Sequence, residues 1–305
     1  MKFVQPSYII IDQEPGIDGI YKQIELAGRT CYKSEDKMTD VSSRAFVQRM
    51  INSGHNAMLE HGTVYLSIPK NSKYADMFLE CRNNPYVKCS WVVSEDTVYV
   101  TTNYRYIIES NSEECMKIFL SPNPNRHHRK RVTVLFHTQI AISREFNRHR
   151  ANSMAESSTR YCNYSKDKFG NEITVNLPSW IEQDSITSDK TNEASIQAKL
   201  AALATYWNNK ELKFIKSFDA IDYWILANSV AEYCYMGLIK CGWAAQQART
   251  ILPLDTNTDL VHTAFVSDWK HFFDLRALGT TGKSHPDAKC VAYPLYNDFK
   301  MRGLL

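Results

Sequence analysis

The stretch Ser143–Tyr164 reads SREFNRHRANSMAESSTRYCNY. It holds Arg144, Arg148, Arg150 and Arg160, with His149 among them and Ser153, Ser157, Ser158 and Thr159 interspersed. Guanidinium groups recognise phosphate in a planar, bidentate way, and hydroxyls complete the oxygen shell. Glu145 and Glu156 cannot neutralise four arginines, so an external anion is a reasonable inference. The same composition also describes a solvated basic helix face with capping serines. The glycines of a Walker loop or a dinucleotide fingerprint are absent. Cys162 adjoins the cluster, and a nearby guanidinium favours a thiolate; it reads either as a nucleophile or as a packed thiol.

The elements that must position this stretch come next. Val132–Ile142 (VTVLFHTQIAI) is apolar and β-branched, which predicts a buried strand running into a helix or turn near Ser143. That places the arginines at a strand end, where sites are common in α/β folds. Val64–Ile68 alternates as a strand does and is stopped by Pro69, and Thr97–Thr102 alternates too. Arg44–Ile51 has helical spacing, with Asp40, Ser42 or Ser43 as cap and Gly54 beyond its end. Ala194–Phe214 predicts a helix capped by Asn192, and Phe218–Lys240 a long helix closed by Gly242. Leu260–Ala277 reads as one further helix or a pair. Strands early and helices late predict an α+β (mixed α/β) subunit, a central sheet with long helices. Ser121–Arg131 and Ser165–Asp189 read as inserts or mobile loops. The adjacent His127 and His128 read as solvated rather than metal-binding, because i and i+1 side chains diverge.

Composition bounds the partners. The chain has 305 residues, 44% hydrophobic, with 36 Lys plus Arg against 33 Asp plus Glu. A formal charge of +3 argues against a general nucleic-acid binder, although a module binding nucleic acid through Arg144–Arg160 remains the reading from another class. No run of about 18 apolar residues predicts a membrane span. The first residues lack the features of a secretory signal. Eight cysteines occur without a CxxC or a zinc spacing, so reduced thiols, no metal and a cytoplasmic location are expected. Trp243, Trp269, Phe272 and Phe273 are expected in packing. His61, preceded by Glu60, reads as a general base or a structural histidine. Arg249 and Arg276 read as site residues or as core arginines paired with Asp255 or Asp274.

Arg148-His149-Arg150, followed by seven residues and Ser158, resembles the RHRx7S signature of flavin-dependent thymidylate synthases. Ser153, Glu156, Arg160 and Tyr161 fall at the matching offsets. Upstream, His55–His61 (HNAMLEH) is similar to the family's segment ending in Glu-His. Downstream, Ala248–Pro253 (ARTILP) is similar to its ARxxLP segment, and Phe273-Asp274-Leu275-Arg276 to a later helix bearing an arginine. The matches keep the family's order from roughly Tyr21 to Ala277. Segments near 82–130 and 165–190 are longer than a minimal member needs, as probable inserts in a single domain over 1–305.

The resemblance implies a homotetramer with active sites at subunit interfaces. The implied reaction makes dTMP from dUMP with 5,10-methylenetetrahydrofolate as one-carbon donor, FAD as mediator and NADPH as reductant, without a protein nucleophile. It implies that Arg148, His149, Arg150, Glu156 and His271 bind or organise FAD. Glu145, Ser158, Arg160, Arg249 and Arg276 would surround dUMP. Arg276 and His61 would be catalytic, Arg276 polarising the uracil ring and His61 beside flavin and folate. The chain departs from the pattern at Ala155 and Thr159, where Asn and Gly are frequent, at Phe265-Val266-Ser267, and at His271, where others carry Asn. A flavoenzyme acting on a pyrimidine nucleotide without methyl transfer is the alternative within the same chemistry.

Overall fold

Strong β-propensity runs and two long helical patterns set the architecture seen in the computed structural model, which describes residues 1–209 and 214–305. Among the described residues the strands are β1 (Lys2–Val4), β2 (Ser7–Ile11), β3 (Thr63–Pro69), β4 (Lys88–Val92), β5 (Thr97–Asn103), β6 (Arg131–Gln139), β7 (Ser153–Glu156), β8 (Thr174–Asn176) and β9 (Asn257–Phe265). Helices and strands together give the mixed α/β class expected. The chain divides into two compact units.

The smaller unit comprises Met1–Pro6, Thr138–Ile142 and Ser158–Thr258. Here β1 pairs parallel with β8. The helix Glu193–Asn208 starts where Asn192 Oδ1 accepts from Ser195 N at 2.8 Å, the cap the sequence predicted. The part of that predicted helix over 210–213 lies outside the described residues. The long helix spans Ala220–Lys240. It starts two residues later than the pattern suggested because Asp219 and Asp222 form a reciprocal capping box. It ends before Gly242, whose φ of +92° favours a residue without Cβ. Tyr164, Ile173, Val175 and Tyr235 form its core.

The larger unit comprises Ser7–His137, Ser143–Ser157 and Asp259–Leu305. It carries a four-stranded sheet in the order β2-β6-β9-β7 and a three-stranded sheet in the order β3-β5-β4. β2 pairs antiparallel with β6, and β7 antiparallel with β9. The helix Gly16–Tyr32 buries Ile20, Ile24 and Ala27. Val64, Leu66, Ile68, Val98 and Val100 fill the core of the three-stranded sheet. Trp269, Phe272 and Phe273 are fully packed, as expected, whereas Trp243 of the smaller unit is exposed.

Four expectations require correction. Leu260–Phe265 is strand, the end of β9, and the helix runs only over Val266–Phe273, followed by a π-helical turn at Asp274–Leu278. Residues 258–265 are all buried, so the polar-apolar alternation of a half-exposed strand is missing. The helix Ser42–Asn52 has Val41 at its cap position and no side-chain cap, because Ser42 is its first residue and accepts at Oγ from Thr39 N, outside the helix, at 2.9 Å. His128 is buried, not solvated: its Nδ1 accepts from Asn125 N and its Nε2 meets Leu66 O at 3.0 Å. Ser165–Asp189, expected as an insert or mobile loop, contains the strand β8.

Candidate functional site

In the larger unit, residues 143–157 of the signature stretch cover the end of a short helix (Ile140–Phe146), a turn, and β7. The turn is closed by Arg148 N to Glu145 O and His149 N to Phe146 O. Ser143 Oγ donates to Glu156 Oε1 at 2.7 Å, and Asn147 Nδ2 to Glu156 Oε2 at 3.2 Å. Glu156 therefore fastens the helix and turn to β7. The turn projects Arg144, Arg148 and Arg150 outward as exposed side chains. Among the described residues none of the three has an ion-pair partner.

His149 points inward and packs against Phe272 and, edge-on at 5.6 Å, against the exposed His271. Burial, then the charges of Arg276 and His271, push its pKa down to about 4. Arg276 comes to it from the π-helical turn, a local irregularity common at functional sites. Gly279 closes that turn at φ +69°, and a Cβ there would lie 2.8 Å from Gly282 O.

Arg276 Nη1 donates to Glu145 Oε2 at 2.5 Å, its Nη2 to Glu145 O at 2.8 Å, and its Nε to His149 Nε2 at 3.4 Å. With a neutral imidazole accepting at Nε2, the ring proton sits on Nδ1. The structure thus joins Glu145, His149, Arg276 and His271 in one group. The partner of Arg276 is Glu145; Asp255 instead accepts from Trp224 Nε1 at 2.8 Å.

His61 is 0% exposed, at the end of the turn Asn56–His61. Its Nδ1 shares a hydrogen bond with Thr263 Oγ1 at 2.9 Å, and Thr263 meets Thr133 Oγ1 at 2.8 Å. Its Nε2 has no partner. Burial and the charge of Arg131 lower its pKa to about 3. His55, at the other end of the same turn, is exposed.

Sequence reading gave Arg131 no role beyond ending a basic loop. Its guanidinium is buried; Nη2 donates to Glu60 O at 3.0 Å and to Ser153 Oγ at 3.3 Å, and Nη1 to Thr63 Oγ1 at 3.3 Å. It ties the Glu60–His61 turn to the start of β7. An arginine opening an apolar strand was the available signal. Asn152 Nδ2 likewise pairs with buried His262 Nε2 at 2.7 Å.

In the smaller unit, Ser158 Oγ accepts from Arg160 N at 3.3 Å. Arg249 Nη1 donates to Thr159 Oγ1 at 3.2 Å, which draws Arg249 to the Ser158–Arg160 loop. Arg160 and Arg249 are exposed cations without an ion-pair partner among the described residues. Cys162, beside them in sequence, is 2% exposed, which fits the packed-thiol reading.

The eight cysteines are free thiols. No cluster of three or more His, Cys, Asp or Glu able to hold a metal occurs among the described residues, and no described helix is long and apolar enough to cross a membrane.

Residues 127–296 match the family described as thymidylate synthase complementing protein. A comparison with curated proteins finds no match. Similar solved structures include the UMP/dUMP methylase PolB from Streptomyces cacaoi bound with 5-Br dUMP, at 16% identity and TM-score 0.40, covering 99% of this chain and 93% of that one. They also include Thymidylate Synthase X (ThyX) from Helicobacter pylori with FAD and dUMP, at 13% identity and TM-score 0.36, covering 96% and 92%. With its signature arginines inside a match that spans more than half its length, this chain belongs to the thymidylate synthase complementing protein (ThyX) family.

Proposed function

We propose that the chain is a methyltransferase that makes dTMP from dUMP, with 5,10-methylenetetrahydrofolate as one-carbon donor, FAD as mediator, NADPH as reductant and no protein nucleophile. Family membership supports the reaction class. The observation that carries the reading is Arg276, held in place by Glu145 at two points and backed by a neutral His149. A fixed guanidinium is what the uracil ring needs if C5 is to become nucleophilic, because it stabilises negative charge as that charge develops. Glu145 fixes the aim of Arg276, and burial of His149 keeps a second cation away from it.

The donor set also fits FAD. Arg148 and Arg150 project from one turn without carboxylate partners among the described residues, a chemistry matched to the two phosphates of a dinucleotide. His149, Glu156 and His271 organise that turn. When bound, FAD supplies the redox and one-carbon relay. Ser158, Arg160 and Arg249 are assigned to dUMP, two exposed cations and a hydroxyl suiting its 5′-phosphate. His61, fully enclosed, is assigned a positioning role through Thr263. A homotetramer with interfacial sites is part of the proposal; the exposed Trp207 and Tyr233 of the smaller unit suit a subunit contact. A cytoplasmic location is part of the proposal.

The test is incubation with labelled dUMP, methylenetetrahydrofolate and NADPH, with and without FAD. The proposal expects dTMP only when FAD is present. Flavin-loaded, folded protein that forms no dTMP would overturn it.

A further inference from the structure

Away from the arginine cluster, the larger unit contains a cavity of about 380 Å³, within the size range of small-ligand sites. Its walls include Glu60, Asn84, Tyr86, Asn103, Arg105 and Glu109. All but Glu60 come from the stretch that follows β3, so most of the cavity is made by the three-stranded sheet and its flanking turns. None of Arg144, Arg148, Arg150 or Arg276 reaches it.

Asn103 sits at the end of β5 and is 2% exposed. Its Oδ1 caps the following helix, Tyr104–Glu109, by accepting from Tyr106 N at 2.8 Å. Its Nδ2 makes no hydrogen bond among the described residues. Asn103 lines the cavity.

Two carboxylates lie in the same walls. Arg105 Nη1 donates to Glu60 Oε1 at 2.7 Å, and Arg105 Nε to Glu109 Oε1 at 2.8 Å. Asn56 Nδ2 adds a bond to Glu109 Oε1 at 3.2 Å. Glu60 Oε2 and Glu109 Oε2 accept nothing among the described residues. Among the described side chains the walls thus present an amide beside carboxylate oxygens, and one guanidinium stands against two carboxylates. Such a cavity disfavours phosphates and carboxylates. It matches a neutral group that shows a carbonyl oxygen next to an N–H.

We propose that this cavity is a second ligand site, taking an uncharged lactam or primary carboxamide whose C=O accepts from Asn103 Nδ2 and whose N–H donates to Glu60 or Glu109. The assignment does not depend on the nucleotide chemistry, so it can stand or fall separately from the proposed reaction.

The experiment is calorimetric titration of the full chain with nicotinamide (a primary carboxamide) and pterin (a ring lactam), with inorganic phosphate as the anionic control. Asn103→Asp is the informative variant. It keeps the Oδ1 that caps the helix, since Asp and Asn cap equally well, but replaces the donor by an acceptor. Its thermal melt reports whether the fold is intact. The expected result is saturable, one-to-one binding of at least one amide probe. Phosphate should not compete, and affinity should fall at least about tenfold in folded Asn103→Asp, the loss of one buried hydrogen bond. Nicotinamide binding without pterin assigns a carboxamide ligand, the reverse a ring lactam. Absence of saturable binding by both probes, competition by phosphate, or unchanged affinity in folded Asn103→Asp would overturn the assignment. If Asn103→Asp fails to fold, Asn103→Ser, which keeps a capping oxygen, replaces it with the same criteria.

Discussion

Replacing Arg276 separates its structural work from its chemical work. The side chain makes two charge-assisted bonds to Glu145 and one longer contact to His149. Each charge-assisted bond contributes about 1.5–3 kcal/mol when well buried. Arg276 and Glu145 are 17% and 31% exposed, so solvent screening reduces the sum to about 1–2 kcal/mol for Arg276→Ala. Melting should fall by only a few degrees, roughly 2–4 °C per kcal/mol for a chain of this size.

The chemical cost is larger. Removing a fixed donor at a site of developing charge lowers kcat about 10²–10³-fold. Arg276→Lys keeps a charge but loses the fork that grips Glu145 at two points, so it should fall near the lower figure; Arg276→Ala should fall at or beyond the upper. Flavin affinity should stay near wild type, because Arg148 and Arg150, the proposed contacts to the flavin phosphates, make no bond to Arg276 among the described residues. The assay measures kcat and the KM for dUMP alongside flavin occupancy and a melt. Wild-type kcat in folded, flavin-loaded Arg276→Lys would refute the reasoning. So would flavin loss with an unchanged rate per bound flavin.

Further expectations follow from the same geometry. His149 holds its folded pKa at about 4 against about 6.5 unfolded, so the unfolded chain binds the extra proton between these values. Its contribution to stability is present above about pH 6.5 and is lost as pH falls toward 4; a His149→Gln variant with an unchanged acid limb in its stability profile would contradict this. Arg276→Gln removes one of the charges that depress His149, so the imidazole should titrate at higher pH by NMR, and an unshifted or lower titration would count against the contact. Arg148→Ala and Arg150→Ala should each weaken FAD binding about 10–100-fold, the loss of one charge-assisted bond, measured by flavin fluorescence; unaltered affinity in both would remove the phosphate assignment. Cys162→Ser should remain active because the thiol is packed, and a folded but inactive variant would revive the nucleophile.

Local signals were legible in the sequence where the determinants are near in the chain. The alternation of Thr97–Thr102 marked β5, and Asn192 marked a helix start. Non-local competition defeated the rest. Ser42 was a sound cap by type, yet it becomes the first helical residue and its oxygen accepts from Thr39 N outside the helix. The run Leu260–Phe265 is buried throughout, so its periodicity carried no strand signature. The arginine-rich stretch announced anion chemistry, but the Glu145 partner of Arg276 lies 131 residues away, beyond any spacing rule. Arg131 was silent for the same reason: its acceptors Glu60, Thr63 and Ser153 converge only in the folded sheet.

The central claim is that the reducing equivalents for the methyl group pass through flavin rather than from the folate, with no protein nucleophile. The most direct measurement is the oxidation state of the folate released as labelled dUMP is converted in the presence of FAD and NADPH. Tetrahydrofolate formed in step with dTMP is the predicted result. Dihydrofolate formed in step with dTMP would contradict the account.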